Sequence, residues 1–103
     1  MKSKKKDDER FGTRPKIANV VATGRFPNAL DIVKIYQEID FPIKEYEPDQ
    51  YPALLVKVKV SGNLRHVTIY KNGKYIITGA SSEKDVDNVY ETIYGILSNA
   101  GYF

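Results

Sequence analysis

The chain has 103 residues, a single-domain length, and its 42% hydrophobic and 28% charged side chains are ordinary for a water-soluble globular domain. With no cysteine and only one histidine, His66, it is excluded from disulfide chemistry, thiolate metal sites, cysteine nucleophiles and multi-histidine metal centres; no apolar run approaches a membrane span, and no apolar stretch follows the N-terminal lysines as a secretory signal requires. The net charge of +3 is unevenly spread: residues 1–16 hold seven basic and three acidic side chains, residues 51–82 hold five basic and no acidic ones, and the remainder is acidic. If the basic middle third forms one face, that face suits a polyanion.

In chain order, residues 1–15 read as a flexible basic arm, because Phe11 is their only large apolar side chain. The folded domain is expected over residues 16–103. The β-branched run at residues 17–23 (IANVVAT) predicts a strand that stops at Gly24. Asn28 follows Pro27 as a helix N-cap, with Asp31 at the capping-box position. Leu30, Ile32, Val33, Ile35, Tyr36 and Ile39 supply an apolar stripe that Pro42 ends. Residues 43–46 read as a short strand before a turn at Pro48 and Asp49.

Residues 53–60 (ALLVKVKV) alternate with period two, the strand signature, and Ser61, Gly62 and Asn63 make a turn. Residues 65–70 give the next strand. Asn72–Gly73 predicts a type I′ hairpin turn, and residues 74–78 pair back until Gly79. Ser82 caps a final helix with Asp85 at the capping-box position; Val86, Val89, Tyr90, Ile93, Ile96 and Leu97 form its apolar stripe and Gly101 closes it. The predicted order is β-α-β-β-β-β-α, an α+β fold with a five-stranded antiparallel sheet. Two amphipathic helices cover one face of such a sheet and leave the other open.

Alternation assigns the open face. With Leu54, Val56, Val58, Val67, Ile69, Tyr75, Ile77, Val20 and Ala22 turned towards the helices, the opposite side carries Asn19, Val21, Thr23, Ala53, Leu55, Thr68, Tyr70, Ile76 and Thr78. This face is expected to hold no acid, with Lys57 and Lys74 towards strand ends and His66 at the rim. It is too apolar to be left to solvent. One reading is a second core covered by another protein surface. The other is a nucleic-acid minor groove, whose floor offers acceptors and van der Waals surface between phosphate rims.

The series IANVVAT, QYPALLVKV, VTIYKNGKYIITGASSEKDV and the closing NAGY resembles one repeat of the TATA-box-binding protein family, over roughly residues 16–102. The resemblance implies half of a saddle, a curved sheet that sits in a DNA minor groove and bends the duplex. By position it assigns Tyr51 and Tyr70 to the wedges that enter base steps, where the family usually has phenylalanine. Asn19 matches the asparagine that reads base edges at the centre of the site. Val21, Thr23, Thr68, Ile76 and Thr78 match the floor, on which alternation also places Leu55, and Lys57, Asn72 and Lys74 match phosphate contacts.

One repeat leaves the strand at residues 17–23 as an unpaired edge, so the expected assembly is a two-fold homodimer that rebuilds a ten-stranded saddle. A monomer whose N-terminal arm covers that edge is the alternative. The implied role is non-catalytic and needs no cofactor or metal: a nucleic-acid binder of archaeal type, cytoplasmic or nucleoid-associated, acting on duplex DNA or an RNA–DNA hybrid, with room for a protein partner on the helical face and no membrane association. A stand-alone recognition module, like the N-terminal domain of type three ribonuclease H, is the competing role.

Overall fold

A computed structural model describes residues 20–103. The element order is β1 (Val20–Arg25), α1 (Ile32–Glu38), β2 (Ile43–Glu45), β3 (Leu54–Val60), β4 (Asn63–Ile69), β5 (Lys74–Ala80) and α2 (Glu83–Asn99). Every strand pairing is antiparallel, in the spatial order β1-β5-β4-β3-β2. The architecture is therefore the α+β one expected from the sequence. The arm at residues 1–15 and Asn19 lie outside the described residues.

The alternation of β3 has a direct physical result: Leu54, Val56, Val58 and Val60 are buried, as are Val67, Ile69, Ile77 and Ala80 on the neighbouring strands. These side chains form one cluster with Ile32 and Ile35 of α1 and Val89, Ile93 and Leu97 of α2. Removing that much apolar surface from water is the main drive for closing the helices onto this face. The opposite face is left without a helical cover.

Several local details differ from the sequence expectation. Helix α1 starts later, because Asp31 and not Asn28 is its N-cap: the Asp31 carboxylate accepts from the Lys34 amide at 3.1 Å. Asn28 is used elsewhere, its side-chain amide donating to the carbonyls of Ala29 and Tyr102. The helix ends at Glu38, before Pro42, with Ile39 already extended and Lys44 donating to the carbonyls of Tyr36 and Ile39.

The two-residue turn expected at Asn72–Gly73 occurs instead at the other hairpin. Ser61 and Gly62 both have positive φ, 51° and 83°, and form the two-residue turn between paired Val60 and Asn63. At the other hairpin only Gly73 does, at 93°: its amide donates to the Tyr70 carbonyl and the Tyr70 amide donates to the Lys74 carbonyl, which makes a three-residue loop. The tip docks on the segment after β1, where the Phe26 amide donates to Gly73 and the Leu30 amide to Lys71, each at 2.8 Å. A Cβ on Gly73 would come within 2.7 Å of the Asn28 carbonyl oxygen, so the contact requires glycine.

Both strands read as ending at a glycine run past it. β1 continues through Gly24, which lies against Tyr75; a Cβ there would collide with the Tyr75 ring and hydroxyl. β5 continues through Gly79, whose φ of 80° carries a β-bulge: Val20 pairs with Ala80 and Ala22 with Ile77, so Val21 faces two residues. The bulge turns Ala80 back to the helix side, where it is fully buried.

Helix α2 starts and stops as expected. The Ser82 hydroxyl accepts from the Asp85 amide, and after Ala100 the amides of Gly101 and Tyr102 donate to Ser98 and Leu97. Phe103 then lies on Tyr94, with ring centroids 4.9 Å apart, and the Tyr102 hydroxyl donates to Glu38 at 3.0 Å. Burial and the Glu38 carboxylate push the Tyr102 phenol up to about 12.

Candidate nucleic-acid interface

The strand registers arrange the open face in rows. One row runs Thr23, Ile76, Thr68, Leu55 and Glu45 from β1 to β2; the adjacent one runs Thr78, His66, Lys57 and Ile43. Thr23 is exposed, and Leu55, Lys57, Thr68, Ile76 and Thr78 are half-buried, while the alternating neighbours Val56, Val67 and Ile77 are buried under the helices. Val21, at 57% exposure, projects opposite the bulge. The floor expected from alternation is thus brought together, with β-branched and leucine side chains at its middle.

Tyr51 and Tyr70 meet at one end of this face. Their hydroxyls hydrogen-bond to each other and their rings lie edge to face, with centroids 6.1 Å apart and planes at 61°. The hydrogen bond with Tyr51, aided by burial, holds the Tyr70 phenol above its usual range. Each hydroxyl thereby has a hydrogen-bond partner within the pair. The Lys74 ammonium stands over the Tyr70 ring, 5.8 Å from its centroid. Asn72 shapes the adjoining hairpin, its side-chain oxygen accepting from the Lys74 amide at 2.9 Å, and Arg25 donates to the Asn72 carbonyl.

Five features of the face depart from the sequence reading. Glu45 belongs to it, so the face is not free of acid: in the three-residue β2 the half-buried Lys44 turns towards α1 and leaves Ile43 and Glu45 on the open side. Lys57 stands in the middle of its strand and not near an end, and His66 beside it is on the floor and not at the rim. Arg65 leaves the basic group altogether, because its Nε donates to Asp85 of α2 at 2.8 Å on the helix side. Ala53, expected on the open face, is covered, with 1% exposure.

Arg25 was missed, and it takes the place of Arg65 among the cations of this face, opposite Lys74 in the register. Continuing the alternation of Val21 and Thr23 past Gly24 would have found it. His66 was recoverable too, since it shares the parity of Thr68 and Tyr70. Among the described residues no cluster of histidine and carboxylate side chains could hold a metal ion, and no helix is long and apolar enough to cross a membrane.

The comparisons with known proteins agree with this fold. The family model for "Transcription factor TFIID (or TATA-binding protein, TBP)" matches residues 14–100. The TATA-box-binding protein C of Halobacterium salinarum is 35% identical over 85 residues, which is 82% of this chain and 46% of that protein. The TATA-box-binding protein of Pyrobaculum calidifontis is 32% identical over 93 residues, 87% of this chain and 43% of that one. Among solved structures, Methanococcus jannaschii TBP superposes with a TM-score of 0.70 at 30% identity, covering 82% of this chain and 46% of that chain. The chain spans less than half the length of these relatives.

Proposed function

The chain belongs to the TATA-box-binding protein family, and on that premise we propose that it binds duplex DNA through the open face of its sheet, bending the minor groove in a transcriptional or architectural role without catalysing a reaction. The observation that carries this reading is the composition of the face. Its floor is mostly threonine and aliphatic, with Lys57 and His66 in its second row and Glu45 at its β2 end; a tyrosine pair closes one end, and Arg25 and Lys74 add positive charge beside it. A minor groove presents acceptors and apolar sugar edges on its floor and phosphates along both rims, which is the complement of that pattern. The tyrosine pair acts as the wedge, paying the unstacking cost at one base step for a wider contact.

Assembly follows from the edge strand. Among the described residues β1 pairs with β5 on one side only. Antiparallel pairing of β1 with its own copy continues the hydrogen-bonded ladder and places two open faces side by side as a ten-stranded saddle. Asn19 stands next to that join in the sequence and takes the central base-reading role.

The test is fluorescence anisotropy against A·T-rich duplex, G·C-rich duplex, single strand and RNA–DNA hybrid at two salt concentrations. Tightest binding to the A·T-rich duplex is expected, and Lys57→Ala or Arg25→Ala should each lower the slope of log affinity on log salt by about 1. A Tyr51→Ala, Tyr70→Ala double variant should keep the fold and lose bending in a circular-permutation gel. Absence of binding to all four ligands at low salt sinks the proposal, and preference for the hybrid replaces it with the recognition-module role. Light scattering that finds only monomer at micromolar concentration excludes the self-paired saddle.

A further inference from the structure

Glu45 is the only acidic residue in the five strands, and it sits on the face proposed to meet a polyanion. It stands opposite Leu55 in β3. It lines two adjoining depressions, one over Leu55, Lys57, His66 and Thr68, the other beside Tyr51 with Glu47 and Gln50 at its wall. This places it between the floor and the tyrosine end.

An ionised carboxylate only accepts hydrogen bonds. Over an A·T pair it would meet the acceptors adenine N3 and thymine O2, with no donor to answer it. A G·C pair adds the one donor of the minor-groove floor, the guanine N2 amino group. Lys57, in the same depression, supplies the positive charge that makes ionised Glu45 tolerable near phosphates.

Resting on the groove reading above, we propose that Glu45 is a specificity determinant that accepts a hydrogen bond from the guanine amino group at the base pair next to the tyrosine step. The preferred site is then A·T-rich over the threonine and aliphatic rows and carries a G·C pair at its end. In the self-paired saddle β2 is the outermost strand of each half. The two Glu45 side chains then stand nine strand spacings apart, about 43 Å for a flat sheet and less for a curved one. The site gains a G·C pair at both ends.

The experiment uses the full chain and a set of A·T duplexes in which a single G·C pair is moved step by step. In a matched set inosine replaces guanine and still pairs with cytosine but lacks the 2-amino group. At one position, or one symmetric pair of positions, guanine should bind about tenfold tighter than inosine. Replacing adenine there by 2,6-diaminopurine, which adds the amino group to an A·T-like pair, should recover most of the gain. Glu45→Leu should abolish the preference and Glu45→Gln, which keeps an acceptor without charge, should reduce it; thermal melts confirm that both variants fold. Equal binding of guanine and inosine at every position, with A·T-rich duplex still bound, overturns the role of Glu45 alone. Glu45→Gln tightening all duplexes by the same factor also overturns it, because the acid would then only repel phosphates. Failure of every duplex to bind overturns the groove reading together with this one.

Discussion

On one oxygen of Asp85 three donors converge: the Ser81 amide at 2.8 Å, the Ser81 hydroxyl at 3.1 Å and Arg65 Nε at 2.8 Å. The Ser81 amide chiefly holds this carboxyl below its usual range, against an opposing push from burial, and the Ser81 hydroxyl and Arg65 add to the lowering. The charged form is the one favoured by folding, so its contribution is present above the unfolded value of 3.8 and is lost as pH falls below it. Asp85→Asn should therefore cost about 1–3 kcal/mol near neutral pH, and the gap to the wild type in urea melts should narrow by about pH 3. The same residue shows how far sequence reaches. Ser82 and Asp85 were legible as a helix start, because capping chemistry is local. The pull of Arg65 to the helix side was not, since it depends on a partner twenty residues away in α2.

Elements differ in how much of them periodicity can reveal. The seven residues of β3 and of β4 give enough alternation to fix both faces, so the positions of Leu55 and Thr68 are legible in the sequence. Three residues in β2 do not, and the orientation of Glu45 is set by Lys44 reaching two carbonyls at the end of α1. Glycine misled in both edge readings because it serves as a stop and as a point of close approach with the same letter. At Gly24 the close approach is the reason: Gly24→Ala should lower stability by about 1–3 kcal/mol, since the new Cβ meets the Tyr75 ring and hydroxyl. Tyr75→Phe in that background should recover part of the loss, as the hydroxyl is one of the colliding atoms. Thermal melts of the single and double variants decide it. Full recovery is not expected, because the ring carbons are also close.

At the scale of the whole molecule the sheet divides most of the charge, Glu45 being the acid left on the open side. Arg25, Lys57 and Lys74 lie on the open side, while Glu83, Asp87 and Glu91 lie exposed along α2 behind it. The charge count alone gave a basic middle third, and the fold sorts that third, sending Arg65 to the acidic side and recruiting Arg25 from the first strand. On the proposed groove reading, a duplex approaching from the acidic side would meet repulsion, which favours contact through the open face.

The pairing of β1 with β5 also decides when the protein can exist. Arg25 stands beside Lys74 and Val20 beside Ala80, so the first described strand gains its partner only when the last strand is available. The β3–β4 and β4–β5 hairpins need no such wait, since their turns bring neighbours together. Closing the long loop costs entropy that only the completed sheet and helices repay, which slows folding relative to helical domains of this size. Folding should therefore start from the middle strands and add β1 last. Substitutions in the β3–β4 hairpin, such as Val58→Ala, should slow folding, whereas Ala22→Gly in β1 should mainly speed unfolding in stopped-flow chevrons. Equal slowing of folding by both would mean that β1 joins together with the hairpin and would overturn this order.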